Sequence, residues 1–489
     1  MRKDAIARAM TQPPEKSFQR SSMPIKAGDA ITAFAVHGST GTSEAEPACY
    51  RSLHAKISKK TAAVAVCGMG YVGLPLCRAI TDHGFPLIGL DIDEEKVEKL
   101  NAGKSYIRHI PAGIVQAMLK TGRFRASSDF GQIAHADIII VCVPTPLTRY
   151  REPDLSYVSS TAEAIARNAQ PGQLIILEST TYPGTTVELL DPIFSRHGLI
   201  SGRDIFLAFS PEREDPGNPD YQTTMIPKIV GGQGRLALEL AIAFYRGFIK
   251  AVVPVSSATT AEAVKLTENI FRAVNIALVN ELKVIYSKMG IDIWEVIEAA
   301  KTKPFGFMPF YPGPGLGGHC IPIDPFYLTW KAREFDVTAR FIELAGQINA
   351  AMPEYVIGRL ADELDKRFSR GLNGARILIL GMAYKKNVDD IRGSPALKLM
   401  ELLEARHAQV HYFDPFIPEI PRTRDHPEFA GRTSIAFDPT TFAQYDAALI
   451  ATDHDCVDYQ MLADRSQLVI DTRNACERFG VKSDKVAKA

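Results

Sequence analysis

One cysteine of the chain, Cys320, directly follows a glycine-rich segment in which residues 313–319 read GPGLGGH. Such a loop lets a substrate approach the backbone closely, and a thiolate is a strong nucleophile. Three other cysteines lie in apolar segments and fit the buried, inert behaviour of most single cysteines: Cys67, Cys77 and Cys142. Adjacent side chains rarely point at each other, so His319 and Cys320 do not indicate a cysteine protease. The pattern predicts a single reactive thiol in a loop.

Three polar residues of a long helical pattern form a second group of candidates. Lys265, Asn269 and Arg272 are spaced i, i+4 and i+7, which places them on one helix face among apolar neighbours. This stripe is either a solvated edge or a site for an anionic substrate, and the spacing supports both equally. Glu212 and Asp324 lie near glycine or proline turns, and each is either a solvated loop acid or a group that transfers protons and positions water.

A glycine motif in residues 68–73, GMGYVG, predicts a dinucleotide site. Gly68 permits a tight turn, Gly70 lets the backbone approach a pyrophosphate, and Gly73 lets the helix pack closely on the strand. The motif follows an apolar run and opens a helical one, so a phosphate would lie at a helix N-terminus, where free N–H groups favour negative charge.

Residues that end the following strands complete this prediction. Asp91 ends the next strand, where a carboxylate binds the ribose hydroxyls and disfavours the 2′-phosphate of NADP. We therefore predict NAD as the cofactor. Thr145 and Thr180 follow two further strands, at the sheet edge where open α/β sheets bind ligands. From position alone, each is equally an ordinary turn residue and a cofactor contact.

Alternating strands and helices indicate the fold class, which is α/β. Apolar strands near Val64 and Ile377 are each followed by a glycine, a turn, a helix and a strand that ends in aspartate. We predict two Rossmann-like doubly wound parallel-sheet domains joined by a long central helix. The predicted divisions are a disordered extension at 1–58, an NAD-binding domain at 59–258, a central helical domain at 259–371 with the cysteine loop and a dimer interface, and a C-terminal domain at 372–489.

Composition excludes several classes of protein. The 489 residues contain 56 basic and 56 acidic side chains, so the chain lacks the basic excess that non-specific nucleic-acid binding needs. Its seven cysteines include no C-x-x-C pair, which disfavours a disulfide framework or a structural zinc site. The uncharged run at 61–77 contains three glycines and a proline and is short for a membrane span. The sequence predicts a cytoplasmic protein with no membrane, nucleic-acid or metal partner.

Six segments together resemble the UDP-glucose/GDP-mannose dehydrogenase family, and most of all its bacterial UDP-N-acetylglucosamine 6-dehydrogenase branch. They are VCGMGYVGLPL, LDIDEEKVEKLNAGKSYI, SPEREDPGN, the helix of Lys265 and Asn269, PGPGLGGHCIPIDPFYLTW and GMAYKKNVDDIRGSPA. The resemblance covers roughly residues 62–475. It implies that the sugar C6 alcohol is oxidised twice, with two NAD molecules, through a thiohemiacetal and then a thioester on Cys320. It also implies a homodimer built around the long helix.

The resemblance assigns roles to individual residues. It implies a catalytic set of Cys320, Lys265, Asn269, Asp324 and Glu212. It implies a cofactor set of Gly68, Gly70, Tyr71, Val72, Gly73, Asp91, Lys96, Thr145, Thr180 and Arg392. It implies a UDP-sugar set of Arg213, Glu214, Lys265, Asn269, Arg272, Gly317, Tyr384 and Lys385.

Departures from two branches of the family favour UDP-N-acetylglucosamine as the substrate. UDP-glucose dehydrogenases have a lysine before the aspartate of the cysteine loop, where this chain has Ile323, and a second glutamate where it has Pro216. The UDP-N-acetylmannosamine branch has a His and an Arg where this chain has Pro304 and Gly306. Both substrates stay as alternatives, as does a catalytically silent NAD-binding scaffold. The expected product is a uronic acid for surface polysaccharide, such as O-antigen or capsule.

Overall fold

The first half of the chain folds into an eight-stranded sheet. The structure is a computed structural model that describes residues 46–107, 110–148, 150–213, 223–318 and 320–489. The strands are β1 (Val64–Cys67), β2 (Leu87–Leu90), β3 (Phe124–Ser127), β4 (Ile138–Val141), β5 (Leu174–Leu177), β6 (Phe206–Phe209), β7 (Lys228–Gly232) and β8 (Val252–Pro254). Their order is β3-β2-β1-β4-β5-β6-β7-β8. The predicted parallel sheet is confirmed except that β7 runs antiparallel to β6.

Helices cover both faces of this sheet. They are α1 (Ala48–Ser58), α2 (Gly73–Asp82), α3 (Glu94–Asn101), α4 (Ala112–Lys120), α5 (Ser156–Asn168), α6 (Asp191–Arg196) and α7 (Arg235–Arg246). Because successive side chains of a strand point to opposite faces, Val64 and Val66 of β1 join one hydrophobic core and Ala65 and Cys67 join the other. This two-sided burial explains why the strands read as continuous apolar runs.

Helix α1 corrects the predicted disordered extension. Residues 48–58 form a helix whose buried residues, Tyr50, Leu53 and Ile57, share one face and join the same core as Val64. The Tyr50 hydroxyl donates a 2.9 Å hydrogen bond to Glu239 of α7. Three apolar residues in an otherwise polar segment are too weak a periodic signal to reveal a helix that α7 stabilises. Residues 1–45 of the predicted extension lie outside the described residues.

Four helices, of which the first and the last are long, connect the two sheets. They are α8 (Ala258–Met289), α9 (Ile293–Ala300), α10 (Asp324–Arg333) and α11 (Arg340–Phe368). Gly290 adopts φ +73° and ends α8. Asn349 of α11 donates to the Ala273 carbonyl and accepts from Asn280, which locks α11 against α8. The 29-residue α11, with Pro353 inside it, is a second long helix that the sequence did not predict.

The last part of the chain forms a five-stranded parallel sheet. Its strands are β9 (Arg376–Leu380), β10 (Gln409–Phe413), β11 (Ala447–Ile450), β12 (Val469–Asp471) and β13 (Val486–Lys488). Its helices are α12 (Pro395–Ala405), α13 (Pro439–Phe442), α14 (Tyr459–Arg465) and α15 (Ala475–Arg478). The strand order is β10-β9-β11-β12-β13, so the chain adds β10 on one side of β9 and the later strands on the other, as in doubly wound folds. The predicted second Rossmann-like domain is confirmed.

None of the helices in the described ranges combines the length and the apolar character that crossing a membrane requires.

Candidate active site

The three glycines of the first loop have three different surroundings. At Gly68, with φ +99°, an added Cβ would lie 2.5 Å from the Cys142 carbonyl oxygen, and at Gly73 it would lie 1.9 Å from the Gly68 carbonyl oxygen. At Gly70 an added Cβ would meet nothing within 4 Å. Gly68 and Gly73 therefore allow close backbone packing, whereas Gly70 borders open space at the N-terminus of α2. This arrangement fits the pyrophosphate of a dinucleotide.

Asp91 braces this loop from the end of β2. Its carboxylate is buried and accepts hydrogen bonds from the Met69 N–H at 2.8 Å and from the Asp93 N–H at 3.0 Å. The Lys96 ammonium lies 3.7 Å from the same carboxylate. The structure thus places Asp91 and Lys96 together beside the glycine loop, where the sequence predicted the ribose site.

Arg392 reaches the glycine loop from the second sheet domain. Its guanidinium lies 4.4 Å from the centroid of the Tyr71 ring, and Asp390 holds it through a two-pronged ion pair. Val72 is half-buried beside Tyr71. The predicted cofactor residues Arg392 and Tyr71 therefore meet, although they belong to different sheet domains.

Two threonine loops form the rest of the predicted cofactor edge. Thr145 is buried after β4 and Thr180 is half-buried after β5. The Ser179 hydroxyl donates a 2.7 Å hydrogen bond to the Val143 carbonyl, which ties the two loops together. Because β4 and β5 follow β1 in the sheet, both loops lie at the same carboxyl edge as the glycine motif.

The cysteine loop packs against the second sheet domain. An added Cβ at Gly317 would lie 2.8 Å from the Tyr384 Cβ, and one at Gly318, with φ +83°, would lie 3.0 Å from the Tyr384 ring. The Gly318 N–H donates a 3.2 Å hydrogen bond to the Arg392 carbonyl. The glycines thus let the loop that leads to Cys320 pack closely against Tyr384 and Arg392. Lys385 is half-buried next to Tyr384.

Asp324 and Asn269 form a buried pair close to Cys320. The Asn269 amide donates a 2.5 Å hydrogen bond to the Asp324 carboxylate, and the Asp324 N–H donates a 2.8 Å hydrogen bond to the Cys320 carbonyl. Asp324 is 3% exposed. Burial raises the pKa of Asp324 to about 7, against the opposing effects of Lys265, Asn269 and Arg272. A carboxyl with this pKa can take up and release a proton near neutral pH.

Cys320 is open to solvent on one side, although protein atoms crowd its other sides. That partial desolvation, helped by Asp324, raises the pKa of the thiol. The positive charges of Lys265, Arg272 and Arg392 act in the opposite direction. The predicted helix stripe is therefore close enough to the thiol to stabilise a negative charge there, which favours the substrate-site alternative over a solvated edge.

A buried charge cluster that the sequence did not predict lies behind Glu212. Lys228, on β7, contacts Glu178 at 2.9 Å and Glu212 at 3.3 Å, and the Tyr245 hydroxyl donates to Glu178. Burial acts to lower the pKa of Lys228, but the two carboxylates outweigh it and raise that pKa. The only sequence signal was a lysine in an otherwise apolar strand, KIVGG. The Lys265 ammonium donates to the Glu212 carbonyl, so this cluster adjoins α8.

Two other predicted substrate residues, Arg213 and Arg272, lie at α8. Arg213 forms a 2.7 Å ion pair with Glu268 of α8, and Arg272 is exposed. Glu214 lies outside the described residues. Arg473, which the sequence did not single out, packs against the start of the cysteine loop, where an added Cβ at Gly313 would lie 2.5 Å from its guanidinium. Within the described ranges, no three His, Cys, Asp or Glu side chains cluster as a metal site.

Comparisons with known proteins identify the family. The chain matches the NAD binding domain of the UDP-glucose/GDP-mannose dehydrogenase family at 62–249, its central domain at 259–351 and its UDP binding domain at 378–478.

Individual relatives agree with these matches. A UDP-N-acetyl-D-mannosamine dehydrogenase of Pyrococcus horikoshii is 35% identical over 84% of this chain and 95% of its own. A UDP-N-acetyl-D-glucosamine 6-dehydrogenase of Pseudomonas aeruginosa is 35% identical over 72% of this chain and 83% of its own. The solved structure of a UDP-D-ManNAc dehydrogenase from P. horikoshii superposes with a TM-score of 0.78 at 32% identity, covering 87% of this chain and 98% of the other. The chain belongs to the UDP-glucose/GDP-mannose dehydrogenase family and is an NAD-dependent UDP-sugar dehydrogenase.

Proposed function

We propose that the chain oxidises the C6 alcohol of UDP-N-acetylglucosamine to the carboxylic acid. The relative from P. aeruginosa carries that activity in its name, while the relative from P. horikoshii, named for UDP-N-acetylmannosamine, is equally identical. Identity therefore does not choose the sugar. The choice rests on Ile323, Pro304 and Gly306, where the other branches have charged residues or histidine. Measuring NADH formation with each purified UDP-sugar tests it, and a higher kcat/KM with UDP-glucose or UDP-N-acetylmannosamine would reverse the assignment.

Cys320 is the nucleophile of the second half of the reaction. After the first oxidation, its sulfur adds to the C6 aldehyde, a C–S bond forms and the thiol proton moves to the former carbonyl oxygen. The second oxidation turns this thiohemiacetal into a thioester. Water then adds at C6, the C–S bond breaks, and the acid and the free thiol are released. The observation that carries this proposal is an exposed thiol above the buried Asn269–Asp324 pair.

The surrounding residues supply charge and proton handling. Lys265 and Asn269 stabilise the negative oxygen that develops at C6, because both side chains lie buried on the face of α8 beneath the thiol. Asp324 positions and deprotonates the hydrolytic water, and Glu212 acts as a second acid or base. Bound NAD supplies the oxidising equivalents, held by the glycine loop, Asp91, Lys96, Thr145, Thr180 and Arg392.

The nucleotide half of the substrate lies against the second sheet domain. Tyr384 and Lys385 project from the loop after β9, next to the cysteine loop that Tyr384 contacts. Arg213, Glu214, Arg272 and Gly317 complete the substrate site. The division of roles follows the predicted domains: 59–258 binds NAD, 259–371 carries the thiol, and 372–489 binds the nucleotide.

A paired cysteine experiment tests the covalent step. Cys320→Ser should abolish formation of the acid and leave NAD affinity unchanged, because the hydroxyl is a far weaker nucleophile. Cys456→Ser changes the other exposed cysteine of the described residues and should keep full turnover. Intact-mass measurement after rapid quenching should detect a sugar adduct only in chains that retain Cys320. Full turnover of Cys320→Ser would instead refute the covalent route.

The chain also forms a homodimer through α8. This helix exposes Phe271, Leu278, Ile285 and Met289, whose spacings of seven, seven and four residues place them along one apolar stripe. Leu278→Glu should therefore convert the dimer into a monomer in analytical ultracentrifugation. Val187→Glu, at an exposed valine outside α8, is the matched control. A monomeric unsubstituted chain would contradict the proposal.

The enzyme acts in the cytoplasm and supplies a uronic-acid precursor for surface polysaccharide. Its seven cysteines without a close pair suit a reducing compartment, and no helix of the described residues could span a membrane. Cell fractionation tests the location. Loss of the amino-sugar uronic acid from the surface polysaccharide of a strain without this enzyme tests the role.

A further inference from the structure

The loop after β9 is anchored at its start by Asp414. The Asp414 carboxylate accepts hydrogen bonds from the Met382 N–H at 2.6 Å and the Ala383 N–H at 2.9 Å. Its other oxygen accepts from Phe416 N–H at 2.7 Å. Asp91 holds the Met69 N–H in the first sheet domain in the same way, since both aspartates follow the second strand and both methionines follow the glycine after the first.

The same carboxylate is linked to the end of the loop through His454. This imidazole is 0% exposed, and its Nε2 lies 3.1 Å from Asp414 Oδ2. Its Nδ1 accepts a 2.9 Å hydrogen bond from the Asn387 N–H. A backbone N–H can only donate, so Nδ1 carries no proton and the Nε2–H donates to Asp414. One neutral tautomer therefore satisfies both contacts.

We call the chain of hydrogen bonds from Asp414 through His454 to Asn387 the relay. The charged side chains nearest to it pair with each other rather than with His454. Lys386 and Asp455 pair with each other at 3.0 Å, and the Asn387 side chain also donates to Asp455. The Phe416 ring packs edge-on against His454, and the Tyr459 hydroxyl donates to the His454 carbonyl. Burial acts to raise the pKa of Asp414, but the hydrogen bonds from His454 and the backbone outweigh it and lower that pKa, so the acceptor stays ionised.

We infer that Asp414 and His454 are positioning residues for nucleotide binding, which hold the loop between Met382 and Asn387 at both ends while Tyr384 and Lys385 face the nucleotide. Both side chains are buried, so they act through the loop. The cysteine loop is tied to this domain separately, because the Gly318 N–H donates a hydrogen bond to the Arg392 carbonyl outside the loop between Met382 and Asn387. The inference depends on the proposed contact of Tyr384 and Lys385 with the nucleotide.

Two substitutions of His454 each keep one of its two hydrogen bonds and remove the other. His454→Gln keeps an N–H donor near the Nε2 position but loses the acceptor for Asn387, whereas His454→Asn keeps an acceptor near Nδ1 but loses the donor to Asp414. In the full chain, calorimetric titration with UDP should show each variant about tenfold weaker or more, because a buried polar group is left without its partner. KM for the UDP-sugar should rise while kcat and NAD affinity stay close to the parent. Tyr459→Phe removes a neighbouring contact outside the relay and should bind UDP normally.

Lys385→Met distinguishes this inference from the proposed nucleotide site. If Lys385→Met binds UDP as tightly as the parent, the nucleotide site is wrong and the inference falls with it. If Lys385→Met is weakened but both His454 variants bind UDP normally, only the inference falls. Equal losses of UDP affinity, NAD affinity and thermal stability in both His454 variants would assign His454 a general structural role and overturn the inference.

Discussion

The Asn269 amide and the Asp324 carboxylate are joined by a 2.5 Å hydrogen bond between α8 and the first residue of α10, where both side chains are buried. The Asp324 N–H is bonded in turn to the Cys320 carbonyl. These two contacts hold a carboxyl at a fixed place beside the reactive loop. The positions of Cys320 and of the Asp324 carboxyl are therefore set by the same helix start.

The pKa of Asp324 predicts the pH dependence of acid release. Because burial raises this pKa to about 7, the carboxylate that we propose activates water becomes populated only as pH rises through that region. The rate of thioester hydrolysis should increase over the same interval in single-turnover experiments. In Asp324→Asn, the covalent intermediate should accumulate and its slow hydrolysis should lose this inflection. A variant that releases acid as fast as the parent at pH 8 would exclude Asp324 as the base.

The same group predicts a change of stability with pH. A carboxyl whose folded-state pKa lies above the ordinary value of 3.8 contributes stability below about pH 4, and this contribution is lost as pH rises through about 7. Asp324→Asn removes that loss, so its melting temperature relative to the parent should be higher at pH 8 than at pH 5. Differential scanning calorimetry at both values measures the difference. A difference that does not vary with pH would contradict a buried, titrating Asp324.

The substitution Gly70→Ala tests cofactor binding separately from folding. An alanine Cβ there meets no protein atom within 4 Å, so Gly70→Ala should melt like the parent. The methyl group would enter the space proposed for the pyrophosphate, and NAD affinity should fall about tenfold or more. Fluorescence titration with NADH measures the affinity. Gly113→Ala, which also meets nothing within 4 Å but lies on α4, should bind NAD normally.

Replacing the buried Lys228 should greatly lower the stability of the fold. Lys228→Met leaves the buried Glu178 without its cation and should lower the free energy of unfolding by about 3–5 kcal/mol. Arg235→Met breaks an exposed pair with Glu239 and should cost less than about 1 kcal/mol. Urea unfolding of both full-length variants gives the comparison. Equal losses would show that the buried cluster has no special contribution.

The first strands and the glycine loop were predictable because their signals are local. The strands Leu87–Leu90, Leu174–Leu177 and Arg376–Leu380 are short apolar runs bounded by turns, a local pattern that leaves few alternatives. The break at Gly290 was predictable for the same reason. The prediction of disorder at 48–58 was wrong because α1 depends on contacts with α7, far along the chain.

The residue types and the order of the segments determined the fold class, the cofactor and the family, because motif spacing, strand periodicity and chain order are properties of neighbouring residues. Tertiary structure alone decided that Lys228 pairs with Glu178 and Glu212, that Arg392 stacks on Tyr71, and that His454 links Asp414 to Asn387. These partners are tens to hundreds of residues apart in the chain. A buried charge or imidazole is stable only where folding brings its partner within hydrogen-bond distance. A local sequence pattern does not identify such a distant partner.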